Sequence, residues 1–324
     1  MSVEIDAELN QWLDMLRSPE VSDRLVAIKM LQHLGDEAAL DGLIAALKDD
    51  DLGVQKLAVT TVWEFANPKA IPALLGCLAS PDAGIREEAH SALGELVSQD
   101  HLLLLLDALH QDDVNLQLNL LILLRKIHDA QALPSVLPFF ESENPLLREA
   151  AITTLRYLNQ VERCQPALTL MVDPDDRVRR EAALTLGHLA DAEVIPLLMQ
   201  ALTTDTDWQV RRNAAKSLAL HADPVALPAV GKAVKDDHWQ VRKFALQVLQ
   251  KTPDAQLLPD LVRSLADEYS DVRRDAAIAL GNLGNPAAIN DLQQALDDPD
   301  RDVCIYAERA IQKIQKSLSE ASNA

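Results

Sequence analysis

Apolar residues recur along this chain at helical spacing. Val178, Ala182, Leu186 and Leu189 stand at i, i+4, i+8 and i+11 and so share one stripe of a helix. The stripe repeats. Its first position falls at Asp23, Val54, Ile85, Leu116, Leu147, Val178, Val210, Val241, Val272 and Val303, in steps of 31 residues except for one of 32 between Val178 and Val210. Ten matches in one register define a tandem array. Four residues on, the position is alanine in nine copies (Ala27, Ala58, Ala89, Ala151, Ala182, Ala214, Ala245, Ala276, Ala307) and leucine at Leu120. A small residue there lets neighbouring helices approach closely.

A first helix precedes each stripe. Asn67-Pro68, Asp223-Pro224 and Asn285-Pro286 open it in three copies, and Pro72, Pro134, Pro166, Pro196, Pro228 and Pro259 lie in its first turns. Proline is tolerated there because the missing N–H has no helical acceptor, so a late start or a kink is predicted. Short acidic turns such as Asp173-Pro-Asp-Asp176, Asp205-Thr-Asp207 and Asp297-Asp-Pro-Asp300 lie between the two helices. Aspartate there caps the following helix and favours its positive end. These patterns predict an all-α solenoid of ten two-helix repeats over residues 5–316, a single array within residues 1–324 that ends in a polar, flexible tail at 317–324.

Composition narrows what the array can do. A formal charge of −20 argues against nucleic acid and anionic membrane surfaces as partners. The most apolar stretch, Leu102 to Leu124, is interrupted by Asp107, His110, Asp112, Asp113, Asn115 and Asn119, so no membrane insertion is expected. The start, MSVEIDAELNQWL, lacks a cationic segment before an apolar core, which predicts a cytoplasmic chain. The cysteines Cys77, Cys164 and Cys304 are odd in number and lack CxxC spacing, which suits a reducing compartment.

Two polar columns run through the repeats. Three residues before the stripe stand Glu20, Asp51, Asp82, Asp113, Asn144, Asp175, Asp207 and Asp300; one residue after its first position stand Arg24, Arg86, Arg148, Arg179, Arg211, Arg242 and Arg273. Stacking would join them as an Asp–Arg ladder. The pattern in Asp175-Asp-Arg-Val-Arg-Arg-Glu-Ala-Ala-Leu-Thr-Leu-Gly187 resembles the HEAT-like repeat of the phycobilisome lyase family. That resemblance covers residues 5–316 and implies a right-handed α-α superhelix, a cyanobacterial setting, and a phycobiliprotein or phycobilisome component as partner. Length and architecture are also similar to cyanobacterial HEAT proteins of the IaiH type, which implies an iron-sulfur assembly scaffold as one alternative.

Catalytic chemistry finds little support. HEAT proteins of the deoxyhypusine hydroxylase type hold two irons with paired His-Glu motifs, and no His-Glu dipeptide occurs here. No phosphate loop or G-x-S-x-G elbow is present, and no cofactor is called for. Cys164 and Cys304 are the residual candidates for a metal or cluster, which they would have to share between chains. Cys304 stands where other copies have arginine, which fits either a relaxed terminal repeat or a reactive thiol.

Surface recognition is the remaining reading. Residues 177–274 carry 14 Lys plus Arg against 13 Asp plus Glu, so this stretch is net +1 within an acidic chain. Two residues after the stripe begins, successive copies present Arg180, Arg212, Lys243 and Arg274. Second helices of such arrays line the concave wall, so these residues would form a basic stripe suited to an acidic partner. Pairing with Glu181, Asp236, Asp237 or Asp275 is the competing possibility. Lys216, Phe244 and Tyr306 lie beside the stripe, Trp63, Arg125 and Arg156 sit nine residues after the start of earlier copies, and Trp208 and Trp239 stand in adjacent turns. These types dominate binding hot spots, although for the two tryptophans packing between turns is the favoured role. The sequence thus favours a non-catalytic protein-binding scaffold, with a phycobilin lyase or isomerase subunit as the enzymatic alternative.

Overall fold

The structure, a computed structural model, describes residues 2–159 and 161–322, and every regular element among them is helical. The chain forms two compact units, residues 1–160 and 161–324. In the first unit the second helices of successive repeats are Val21–Leu34, Leu52–Glu64, Ala83–Leu96, Val114–Ile127 and Pro145–Tyr157, each packed on the next. In the second they are Asp176–Leu186, Trp208–His221, Trp239–Lys251, Ser270–Leu283 and Arg301–Ser322, stacked in the same way.

The stripe is the core of each unit. All nine alanines and Leu120 at its second position are fully buried, at 0% exposure, which is why a small side chain serves there. First helices are short, as in Ile71–Cys77 and Leu227–Ala233, and enter through a 3-10 turn such as Pro68–Ala70 or Pro224–Ala226. Prolines therefore mark a late start. The side chains of Asp36, Asn67, Asp129, Asp223, Asp254 and Asn285 cap these turns by accepting from the backbone N–H two residues on. The extra residue in the 32-residue step is absorbed by a longer first helix, Val194–Thr204, of 11 residues.

Close approach is sharpest at Gly187. A Cβ there would stand 2.9 Å from the Cα of Ser217, whose hydroxyl donates to the Ala183 carbonyl at 2.7 Å. At the same repeat position Gly94 has nothing within 4 Å. The tail departs from expectation: Arg301–Ser322 is one continuous helix, so residues 317–322 are helical. Ser317-Leu-Ser-Glu-Ala contains neither proline nor glycine to stop it. Asn323 and Ala324 lie outside the described residues. Among the described residues no helix is long and apolar enough to cross a membrane.

Candidate protein-binding surface

The ladder forms, but with a different aspartate column from the one the sequence suggested. The aspartate three residues before the stripe caps its own helix: Asp51, Asp82, Asp113 and Asp207 accept from the backbone N–H of Val54, Ile85, Leu116 and Val210. The arginine partner lies two residues earlier. Arg179 meets Asp205, Arg211 meets Asp236, Arg242 meets Asp267 and Arg273 meets Asp298, each with two guanidinium nitrogens at 2.7–3.1 Å. The remaining nitrogen donates to two carbonyls of its own turn, as Arg242 does to Asp236 and Asp237 at 2.9 and 3.1 Å. Each rung thus joins two successive repeats with two charge-assisted bonds, while two more fix the arginine to its own turn.

In the first unit Arg24 makes the same rung with Asp49, but Gln55 and Gln117 stand at the arginine position and Ser80, Gln111 and Ser142 at the aspartate position. Cys304 ends the column in the second unit. Its sulfur lies 3.1 and 3.4 Å from the Asp298 and Asp300 carbonyls, replacing the arginine contact to the turn.

Most of the basic stripe is neutralised within the second unit. Arg180 pairs bidentately with Asp207 at 2.8–2.9 Å and also contacts Asp176. Burial pushes the Asp207 carboxyl up, but hydrogen bonds from Arg180 and the Val210 N–H outweigh it and hold the group below its ordinary value. Lys243 meets Asp271 at 3.1 Å, and Arg274 meets Asp271 at 2.7 Å and Asp275 at 3.2 Å. Of the competing acids named from the sequence, Asp275 pairs with the stripe, and Asp236 is taken by Arg211.

Arg212 is different. Its guanidinium donates to the Asn213 side-chain oxygen at 3.0–3.1 Å and to Gln240 at 3.4 Å, and lies 5.3 Å from the Trp208 ring centroid. These partners are neutral. Burial accordingly pulls the group below its ordinary pKa, with the nearby Arg180 acting in the same direction against the opposing charge of Asp207. The Asn213 amide is held in turn by the Arg180 carbonyl at 2.9 Å. Lys216, one turn along, is exposed and meets no carboxylate among the described residues, and Leu220, a turn further, is 50% exposed. Arg212, Lys216 and Leu220 at i, i+4 and i+8 therefore share one face of Trp208–His221.

The aromatic residues divide by role. Trp208 stacks on His238 at 3.6 Å and Trp239 on Tyr269 at 5.0 Å, both within 13° of parallel, so each tryptophan packs against the next turn. His238 and Tyr269 occupy the position that is usually the capping aspartate. Tyr306 lies under Arg309 at 5.1 Å, and Phe244 is half-buried. In the first unit Trp63 donates to Glu95 at 2.8 Å, Arg125 reaches the Ala150 carbonyl at 3.3 Å, and Arg156 lies over Tyr157 at 5.5 Å. Trp63 and Arg125 thus link adjacent second helices.

Cys77 and Cys164 are both buried; burial drives the first thiol up to about 11 and raises the second. Among the described residues no three His, Cys, Asp or Glu side chains gather as a metal site.

Stacked helix pairs, alanine-lined cores and inter-turn staples define a tandem helical-repeat protein, a class that presents extended surfaces to other proteins. Comparison with protein families finds HEAT repeats at residues 9–94, 164–243 and 227–312. The chain belongs to the HEAT-repeat family. Among solved structures it is similar to the crystal structure of an engineered protein, at 21% identity and a TM-score of 0.55, covering 95% of this chain and 98% of that one. That likeness speaks to fold. No curated protein matches the chain.

Proposed function

We propose that this protein is a non-catalytic scaffold or assembly factor and that the helix Trp208–His221 carries its principal contact with a protein partner. The supporting observation is the contrast between Arg212 and its neighbours. Arg180, Lys243 and Arg274 already pair with carboxylates, whereas Arg212 is half-buried, oriented by Asn213, Gln240 and Trp208, and makes no ion pair among the described residues. An acidic segment of a partner would supply the missing charge. Preorganised arginine of this kind is a common hot-spot anchor, and Lys216 and Leu220 add charge and apolar contact beside it. Phe244 extends the face. The resemblance to phycobilisome lyases supports a phycobiliprotein or phycobilisome component as the client, in a cytoplasmic setting.

Reversing Arg212 and Lys216 together (Arg212→Glu, Lys216→Glu) orphans no ion-paired aspartate, unlike reversal of Arg180 or Arg274. In pull-downs from a native extract, the wild-type chain should retain its partner at low salt and release it as salt rises. The double variant should lose the partner at every salt concentration while keeping its helical content. Retention of every partner by the variant would overturn the assignment.

A further inference from the structure

A second surface lies in the first unit, where the ladder fails. Between the repeats that begin at Leu116 and Leu147, glutamine stands at the arginine position (Gln117) and serine at the aspartate position (Ser142). The arginine–aspartate rung is therefore missing between these two turns. The neighbouring first helix is broken as well: only Leu133–Val136 is α-helical, and Leu137–Glu141 continues as a 3-10 turn. The cause is Pro138, which has no N–H for the Pro134 carbonyl and whose ring would crowd it.

A groove of about 780 Å³ lies at this junction. Beside the intact Arg179–Asp205 rung of the second unit, the corresponding cleft holds about 300 Å³. The larger value lies within the range of roughly 300–1,000 Å³ typical of ligand sites. Leu109, Val114, Pro134, Pro138 and Phe139 contribute apolar wall, and Val114 is 41% exposed. The carboxylates of Asp112 and Glu143 stand exposed on the rim and make no ion pair among the described residues; the nearby Arg148 guanidinium is turned to the backbone carbonyls of Ser142 and Glu143, at 2.7 and 3.2 Å. Apolar walls with exposed, unpaired carboxylates at the mouth favour a ligand that brings apolar groups and positive charge.

We propose that this groove is a docking site for a short segment of a partner protein in which bulky apolar side chains are flanked by lysine or arginine. The assignment is independent of the Arg212 surface, which seeks acidic chemistry.

The test measures fluorescence anisotropy of three labelled synthetic 12-residue peptides at about 150 mM salt, where the Debye length is about 8 Å and diffuse attraction is damped. One alternates lysine with leucine, one lysine with serine, and one glutamate with leucine. The full chain is compared with two variants: Asp112→Lys with Glu143→Lys, which reverses the rim, and Gln117→Arg with Ser142→Asp, which rebuilds the staple across the groove. The second pair supplies residues that other repeats already use, so thermal melting should show no loss of stability.

The lysine–leucine peptide should bind the wild-type chain at least about tenfold more tightly than the other two and weaken at least about tenfold in each variant, roughly 1.4 kcal/mol. Equal binding of the lysine–serine peptide, affinities within about twofold across all three proteins, or no binding at all would each overturn the proposal.

Discussion

The ladder sets the largest energetic claim, and Arg242 is the rung on which to test it. Replacing Arg242 with alanine removes two bonds to Asp267, at 2.7 and 2.8 Å, and two to the carbonyls of Asp236 and Asp237. Side-chain exposures of 16% and 10% place the ion pair near the buried limit. Removing one partner of a buried pair costs about 3–5 kcal/mol, and a surface pair is worth about 0–1 kcal/mol. Asp267 keeps one bond, from the Tyr269 N–H at 3.0 Å, and water can reach the freed carbonyl of the exposed Asp237. Those residual partners bring the expected loss to about 2–3 kcal/mol.

Because repeat arrays open piecewise, native-state hydrogen exchange resolves the effect better than one global transition. Amides in Trp239–Lys251 and Ser270–Leu283 should exchange roughly 30- to 150-fold faster in Arg242→Ala. Arg242→Lys should recover less than half of the loss, because an ammonium cannot make the forked contact. A loss below about 0.5 kcal/mol, or full rescue by lysine, would refute the ladder as a structural staple.

Two further outcomes follow from local geometry. Gly187→Ala should destabilise the second unit by about 1–3 kcal/mol because its Cβ meets the Ser217 backbone, whereas Gly94→Ala should be neutral or stabilising by about 0.5–1 kcal/mol; thermal melts of the two variants decide this. The Asp298 carboxyl is held below its ordinary value chiefly by Arg273, so the stability it contributes is present above the unfolded value of about 3.9 and lost as pH falls through the folded one. The penalty of Arg273→Ala, measured by urea unfolding, should therefore shrink as pH drops below about 4.

The repeat was legible because its signal is a period: ten stripes with alanine at the crossing point specify both helix and neighbour. Ladder partners were not. Two acidic columns, such as Asp205 and Asp207, lie within reach of the arginines, and spacing alone does not reveal that Asp205 faces Arg179 while Asp207 caps its own helix and meets Arg180 instead. The recurrence of Asp49, Asp173, Asp205, Asp236, Asp267 and Asp298 was the available signal. The stripe was visible as four basic positions, but the distinction of Arg212 depends on Asn213 standing where the adjacent copies carry Glu181, Phe244 and Asp275. That is a property of contacts. The groove was equally hidden, since it arises where Pro138, Gln117 and Ser142 coincide in space.

The central claim, that Trp208–His221 meets a partner, is tested most directly by site-specific photo-cross-linking. Lys216 is replaced by p-benzoylphenylalanine, and the same substitution is made at Lys232, an exposed position on the first helix Leu227–Ala233. In native extract, position 216 should cross-link to one protein, the yield falling when Arg212→Glu is added, and position 232 should give none. Cross-linking from 232 but not from 216 would contradict the account.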